Sequence, residues 1–157
     1  MGDPASRMSF AVDCMLGKAA KWLRVLGFDA RYERFRALGE LEFHIGEGRI
    51  PITRNRRWCG APGVLCLSSN DPGEQLREIV ARVGIDPREI CLFHRCIVCN
   101  ELLGAVRREE AVSRVPEYVF QMNAVFHGCP KCGRLYWPGS HPGRMADRLR
   151  EILGWVI

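Results

Sequence analysis

Apolar residues along this chain come in short bursts separated by polar turns, and the period of the bursts changes along the way. Ser9-Phe10-Ala11-Val12-Asp13 is a compact apolar run that ends on an acid, which predicts a short buried strand. Leu16, Ala19, Ala20, Leu23 and Leu26 then recur at helical spacing, and Gly27 follows as a helix-ending glycine. Phe28 to Tyr32 predicts a second strand, Leu38 to Gly46 a short helix, and Arg49 to Thr53 a third strand. Pro51 has no amide to donate, so its position marks an edge, a bulge or a strand end. Val64 to Leu67 predicts a fourth strand. Asp71-Pro72-Gly73-Glu74 opens a helix whose buried face is Leu76, Ile79, Val80 and Val83. Pro142 to Leu153 predicts a closing helix with Met145, Leu149, Ile152 and Leu153 on one face. Met1 to Arg7 is a polar start expected to be loosely held.

Short strands alternating with helices predict an α/β domain with a small, mostly parallel sheet flanked by helices, over residues 8–92. Residues 93–157 have a different organisation, with cysteine pairs, an apolar stretch from Val115 to Phe126 to serve as a small core, and the last helix. No apolar run approaches the length of a membrane span, and Met1 to Phe10 holds no secretory apolar run, so a cytoplasmic setting is expected.

The cysteines change the picture most. Cys96-Ile97-Val98-Cys99 and Cys129-Pro130-Lys131-Cys132 are two CxxC pairs, each able to put two sulfurs on one tight turn. Paired in this way they read as a four-thiolate site for one structural Zn²⁺, in preference to two disulfides or a redox motif. Asn100 and Gly133 follow the two pairs and tolerate the left-handed backbone that such turns need. Cys14, Cys59, Cys66 and Cys91 share no spacing and read as small buried hydrophobes. The formal charge of +5 is reduced by two when four thiolates hold one Zn²⁺, so the chain is mildly basic, which permits nucleic-acid binding without requiring it.

In parallel sheets ligands bind beyond the carboxyl ends of the strands. Asp13 and Asn55 fall at such ends. Carboxylates gathered there are what a phosphodiesterase working with Mg²⁺ or Mn²⁺ requires. Asp13 reads equally as a metal ligand or as the cap of the helix that follows it. Asp29, Glu40, Glu42 and Asp71 are further acids available to it. Lys18, Lys21 and Arg24 form a basic stripe on the first helix, a solvated face or a phosphate contact. Arg54, Arg56 and Arg57, with Arg31, Arg34 and Arg36, are further candidates to neutralise phosphates. Trp58, Tyr136 and Trp137 could stack on bases, although packing is the favoured role for the last two.

Several stretches carry a likeness to a known family. They are Phe10-Ala11-Val12-Asp13, Met15-Leu16-Gly17-Lys18, Trp22-Leu23-Arg24, Leu26-Gly27-Phe28-Asp29, Ile52-Thr53-Arg54, Arg95-Cys96, and Cys129-Pro130-Lys131-Cys132-Gly133 with Tyr136-Trp137-Pro138-Gly139-Ser140-His141. On these the chain resembles the Mut-seven C-terminal RNase domain family, a PIN-like nuclease domain with an appended zinc ribbon. The resemblance spans roughly Phe10 to Met145. It implies a PIN-like α/β fold, an RNA substrate, and hydrolysis supported by Mg²⁺ or Mn²⁺ on a few acids. Asp13 matches the family's first acid. Asn55 stands where a later family acid follows the Thr-Arg pair, and Glu40 and Glu42 lie near the expected acidic pair. An amide at Asn55 brings no negative charge, so two readings stay open: a metal-dependent ribonuclease, or an RNA-binding or adaptor protein that kept the fold without the reaction. A third is a scaffold for protein partners.

Overall fold

The computed structural model describes residues 8–155, and the polar start at 1–7 lies outside them. Four parallel strands form the first sheet: β1 (Ser9–Asp13), β2 (Asp29–Glu33), β3 (Arg49–Thr53) and β4 (Leu65–Cys66), in the spatial order β2-β1-β3-β4. The chain leaves β1 for one neighbour through helix α1 (Gly17–Val25) and reaches the other neighbour through α2 (Leu38–Gly46). The strand order therefore reverses between β1 and β3, the position in such sheets that opens a crevice at the carboxyl ends.

Alternation along the strands sorts the two faces. Phe10 and Val12 point to one face and join Leu23, Leu26, Leu76, Ile79 and Leu149 in the main core. This core rests under α1, α3 (Pro72–Val83) and α6 (His141–Leu153). Ala11 points to the other face and packs with Phe35, Leu41 and Trp58 beneath α2. Pro51 sits in an interior strand, but β4 begins only opposite Ile52. At Pro51 the β4 side of the ladder is open, so a missing amide is tolerated there.

Beyond position 92 the chain forms a three-stranded antiparallel sheet of β5 (Gly104–Val106), β6 (Phe126–Gly128) and β7 (Leu135–Tyr136), with the short helices α4 (Arg108–Ala111) and α5 (Glu117–Met122) between β5 and β6. Ala111, Val119 and Phe126 make its own small core, as the apolar run from Val115 predicts. The main core also takes in Cys96, Ile97, Cys129 and Tyr136, so the cysteine module is packed against the α/β sheet. Among the described residues no helix is long and apolar enough to cross a membrane.

A polar seam fixes that packing. Arg24 is only 8% exposed. Its Nε donates to the Ala30 carbonyl at 2.9 Å and its Nη1 to the Ile97 carbonyl at 2.8 Å, with Val98 O at 3.3 Å. Burial pulls the guanidinium below its ordinary pKa, against the raising influence of Cys96 and Asp29. Arg24 is therefore occupied within the fold rather than lying on an open basic stripe with Lys18 and Lys21, which are exposed. Beside it, Asn100 Nδ2 donates to Asp29 at 2.7 Å and its Oδ1 accepts from the Ala30 amide at 3.0 Å. Asp29 also takes a forked pair of bonds from Arg49, at 2.9 and 2.8 Å. Gly27 completes the seam: at φ 95°, a Cβ there would meet the Cys91 carbonyl at 2.4 Å.

The free-hydrophobe reading of Cys59 and Cys66 is corrected. The turn at Gly60–Gly63 folds the loop back onto β4, brings their Cα atoms to 5.4 Å, and the two form a disulfide. Cys14 and Cys91 are free and half-buried.

Two predictions follow from the seam. Arg24→Met leaves three carbonyls without their donor and should cost about 2–4 kcal/mol, read as a melting temperature roughly 5–15 °C lower. For Asp29, burial acts to raise the carboxyl, but Arg49 and Asn100 outweigh it and hold it below the usual carboxylate range. A depressed folded pKa contributes stability that is fully present above the unfolded value and is lost as pH falls through the folded one. Asp29→Asn should therefore lower stability at neutral pH and flatten the acid limb of a stability-against-pH curve below about pH 4.

Candidate functional site

Asp13 ends β1 at the point where the strand order reverses, and it is buried, with 2% exposure. Its Oδ1 accepts from the Cys14 amide at 2.8 Å, so it caps the 3-10 turn Cys14–Leu16. Its Oδ2 accepts from the Thr53 hydroxyl at 2.6 Å, across the gap between β1 and β3. Thr53 in turn accepts from the Asn55 amide at 3.0 Å. The carboxylate is thus both a cap and a fixed charge at the crevice, and each of its oxygens keeps a further lone pair.

The other expected acids are placed differently. Asp29 pairs with Ser9 at the opposite end of the sheet and is taken by Arg49. Glu40 accepts from the Arg36 amide at 2.7 Å at the start of α2, and Glu42 is exposed on that helix. Asp71 caps α3 by accepting from the Glu74 amide at 2.9 Å. Asn55 uses its Oδ1 to accept from the Arg57 amide at 3.0 Å, which shapes the loop. Among the described residues, these acids do not converge into a group of three.

Glu33 is the residue that sequence reasoning missed. It ends β2 and lies in register with Asp13. Running β2 one residue beyond Tyr32 and applying the carboxyl-end rule would have found it. Its Oε2 lies 3.0 Å from Nε2 of His44, which is 3% exposed on α2. Glu33, Glu40 and His44 share a hollow of about 470 Å³ with Arg31, Arg34 and Arg36.

On the other face lies a larger groove of about 960 Å³ beside α1. Lys18, Lys21, Arg77, Arg144 and Arg148 line it together with Tyr32, and Asp71 is its one acid among the described residues. Tyr32 donates its hydroxyl to the Cys14 carbonyl, so the groove's wall is tied to the residue that follows Asp13, although Asp13 itself does not line the groove. Arg56 and Arg57 are exposed on the loop after β3, and Arg57 lies over the Trp58 ring at 4.6 Å. Arg54 is half-buried beside them. Trp58 and Tyr136 are buried, so both pack rather than present a stacking face.

The four cysteines do converge. The sulfurs of Cys96, Cys99, Cys129 and Cys132 lie within 4.8 Å of one another and could hold a metal ion. Cys96 and Cys132 are 3.8 Å apart, the edge of a tetrahedron with metal–sulfur bonds of about 2.3 Å. Asn100 and Gly133 take the left-handed backbone, at φ 64° and 74°. Amides of Cys99 and Cys132 approach the sulfurs of Cys96 and Cys129 at 3.4 and 3.5 Å. Burial acts to raise the Cys96 thiol, but the Tyr136 hydroxyl, 2.9 Å away, and nearby amides outweigh it and bring it to about 7. Burial and the neighbouring sulfurs push Cys99 up to about 12. Four thiols this close resist joint ionisation unless a cation sits among them.

A family model described as the Mut7-C RNAse domain matches residues 8–149. The chain belongs to this family. Comparison with curated proteins and with solved structures found no match. Membership of the Mut7-C RNase domain family points to a nuclease-like role for the chain, and the four-cysteine cluster is consistent with a zinc ribbon in its back half.

Metal removal tests the cluster. A thiophilic chelator should release about one bound metal per chain and lower the melting temperature. Tyr136→Phe removes the hydroxyl beside Cys96 and should weaken metal affinity at least about tenfold, measured by competition with a chromophoric chelator.

Proposed function

We propose that this chain binds single-stranded RNA in its basic groove and hydrolyses a phosphodiester bond at the carboxyl ends of β1 and β2. The observation that carries this is the position of Asp13: a carboxylate held at the strand-order reversal, one residue before the Cys14 carbonyl that binds Tyr32 of the groove lined by Lys18, Lys21 and Arg144, in a chain of an RNase-domain family. Mg²⁺ or Mn²⁺ fits the donor set, because such ions bind through one or two carboxylates plus substrate phosphates, and Asp13 and Glu33 end adjacent strands. When bound, the ion supplies an activated water and neutralises charge on the phosphate. Thr53 and the Cys14 amide hold Asp13 in one orientation. Lys18 and Lys21 place the RNA backbone across the crevice. In this reading one Zn²⁺ on the four cysteines is structural, since a closed four-thiolate site leaves no position for water. A cytoplasmic setting is part of the proposal, and there the Cys59–Cys66 pair would be kept reduced.

One observation favours a second reading, an RNA-binding or adaptor protein without turnover. Asn55 stands in place of an acid and its amide oxygen is already engaged, while Glu40 and Asp71 act as caps.

Cleavage of a labelled generic RNA with added Mg²⁺ or Mn²⁺ separates the two. Asp13→Asn should lower turnover about a hundredfold or more while RNA affinity stays within a few-fold, and Asn55→Asp should raise turnover. Cleavage that survives Asp13→Asn in pure, folded protein rules out this site. Binding with no turnover at any Mn²⁺ concentration establishes the second reading.

A further inference from the structure

The groove beside α1 does not end at the α/β sheet. It meets a second hollow of about 400 Å³ on the cysteine module, and the two share Ile97, Val98 and His141 as lining. The shared floor is the first cysteine turn. The second hollow carries Arg114 and Arg134, and no acidic side chain among the described residues lines it. An aromatic ring marks each end: Tyr32, 47% exposed, in the first hollow, and the half-buried Trp137 in the second. Val98, apolar and 49% exposed, lies between them.

We propose that one RNA strand lies in a single track that starts at Lys18 and Tyr32, crosses the Ile97-Val98 turn, and ends at Arg134 and Trp137. The cysteine module is then part of the substrate-binding surface as well as a structural staple. This deepens the RNA reading above and rests on it. A positively lined track with spaced aromatic and apolar platforms is what an unpaired strand requires, because its phosphates follow the charge and its bases have free faces to stack. A duplex offers no such faces. The track is also preorganised. Arg24 holds the Ile97 and Val98 carbonyls from beneath, so the shared floor does not have to form when RNA arrives. Arg114 is partly committed, since it donates to the Gly133 carbonyl. Arg134 is exposed, and its backbone carbonyl accepts from the Cys129 amide at 3.0 Å, while its side chain makes no hydrogen bond among the described residues. It is therefore the cleaner probe.

The test is equilibrium binding of a labelled single-stranded RNA of about 12 nucleotides, long enough for a track of this kind, across a salt series and without added Mg²⁺ or Mn²⁺. Arg134→Ala should weaken binding about three- to tenfold and reduce the salt slope by about 0.7, with an unchanged melting temperature. Lys21→Ala at the other end should do the same, and the two effects should combine. Arg134→Glu should weaken binding further. If Lys21→Ala weakens binding while Arg134→Ala and Arg134→Glu leave affinity and slope at wild-type values, the strand stops at the α/β groove: the track is overturned and the RNA reading stands. If neither end responds although wild type binds, the strand lies elsewhere and the track is overturned. If wild type fails to bind RNA even at low salt, both fall together.

Discussion

A single buried guanidinium decides how the two sheets of this chain meet. Arg24 lies in the last turn of α1, reaches the carbonyl of Ala30 at the start of β2, and crosses to the carbonyls of Ile97 and Val98 in the first cysteine turn. A buried charge is costly unless its donors are satisfied, and here backbone oxygens satisfy it rather than a carboxylate. Those oxygens gain as much as the arginine does. A tight CxxC turn presents carbonyls that the turn itself cannot pair, and a polar group left unmade against a core costs more than the bond contributes when made. The module is therefore pinned in one orientation on α1. The neighbouring Asp29–Asn100 bond adds a second polar fix at the same junction.

That constraint reaches the surface chemistry. The Ile97-Val98 turn is held against α1, so it becomes floor for the groove on whose rim Lys18 and Lys21 stand. Without the tie, α1 would present only a basic stripe to water. With it, the stripe becomes one wall of a concavity, and the cations on α6 form part of the rest. Charge in a concave, low-dielectric setting concentrates potential far more than the same charge on a convex helix. The mild formal charge of +5 thus understates what a phosphate backbone would meet locally.

What the sequence made legible follows from range. The strands of the first sheet and the helix that begins near Asp71 were readable because their signals repeat within a few residues. The cysteine pairs were readable because metal chemistry demands both spacing and residue type. Arg24 was not. Helical periodicity placed it with Lys18 and Lys21, and nothing within a turn of it reveals a carbonyl 73 positions away. Asp29 misled for a related reason. A carboxylate early in a strand is at the wrong end of a parallel sheet for chemistry, yet its partners Arg49 and Asn100 lie 20 and 71 residues on. Glu33 was lost to a boundary error of one residue. The antiparallel sheet escaped because β5, β6 and β7 are only two or three residues long, too short for alternation to register. Cys59 and Cys66 meet because of a glycine turn rather than a motif.

Asp13 shows why cap and ligand are not opposed roles. A carboxylate offers about four lone-pair directions, and the Cys14 amide and the Thr53 hydroxyl take one on each oxygen. Those two bonds hold the group in one orientation, which a metal ligand needs. Among the described residues no group of three acids converges at the crevice. Asn55 sits near the right place with a neutral oxygen that the Arg57 amide already uses, and the acid that does end an adjacent strand, Glu33, is engaged with His44. An ion held by one or two carboxylates would depend on the substrate's own phosphate for the rest of its coordination. On the proposed reading metal and RNA would then bind cooperatively: each would be weak alone, and the basic groove, by gathering phosphate, would also help recruit the ion. On this account the strength of the nuclease would be set less by the acids at the strand ends than by how firmly the groove holds RNA over them.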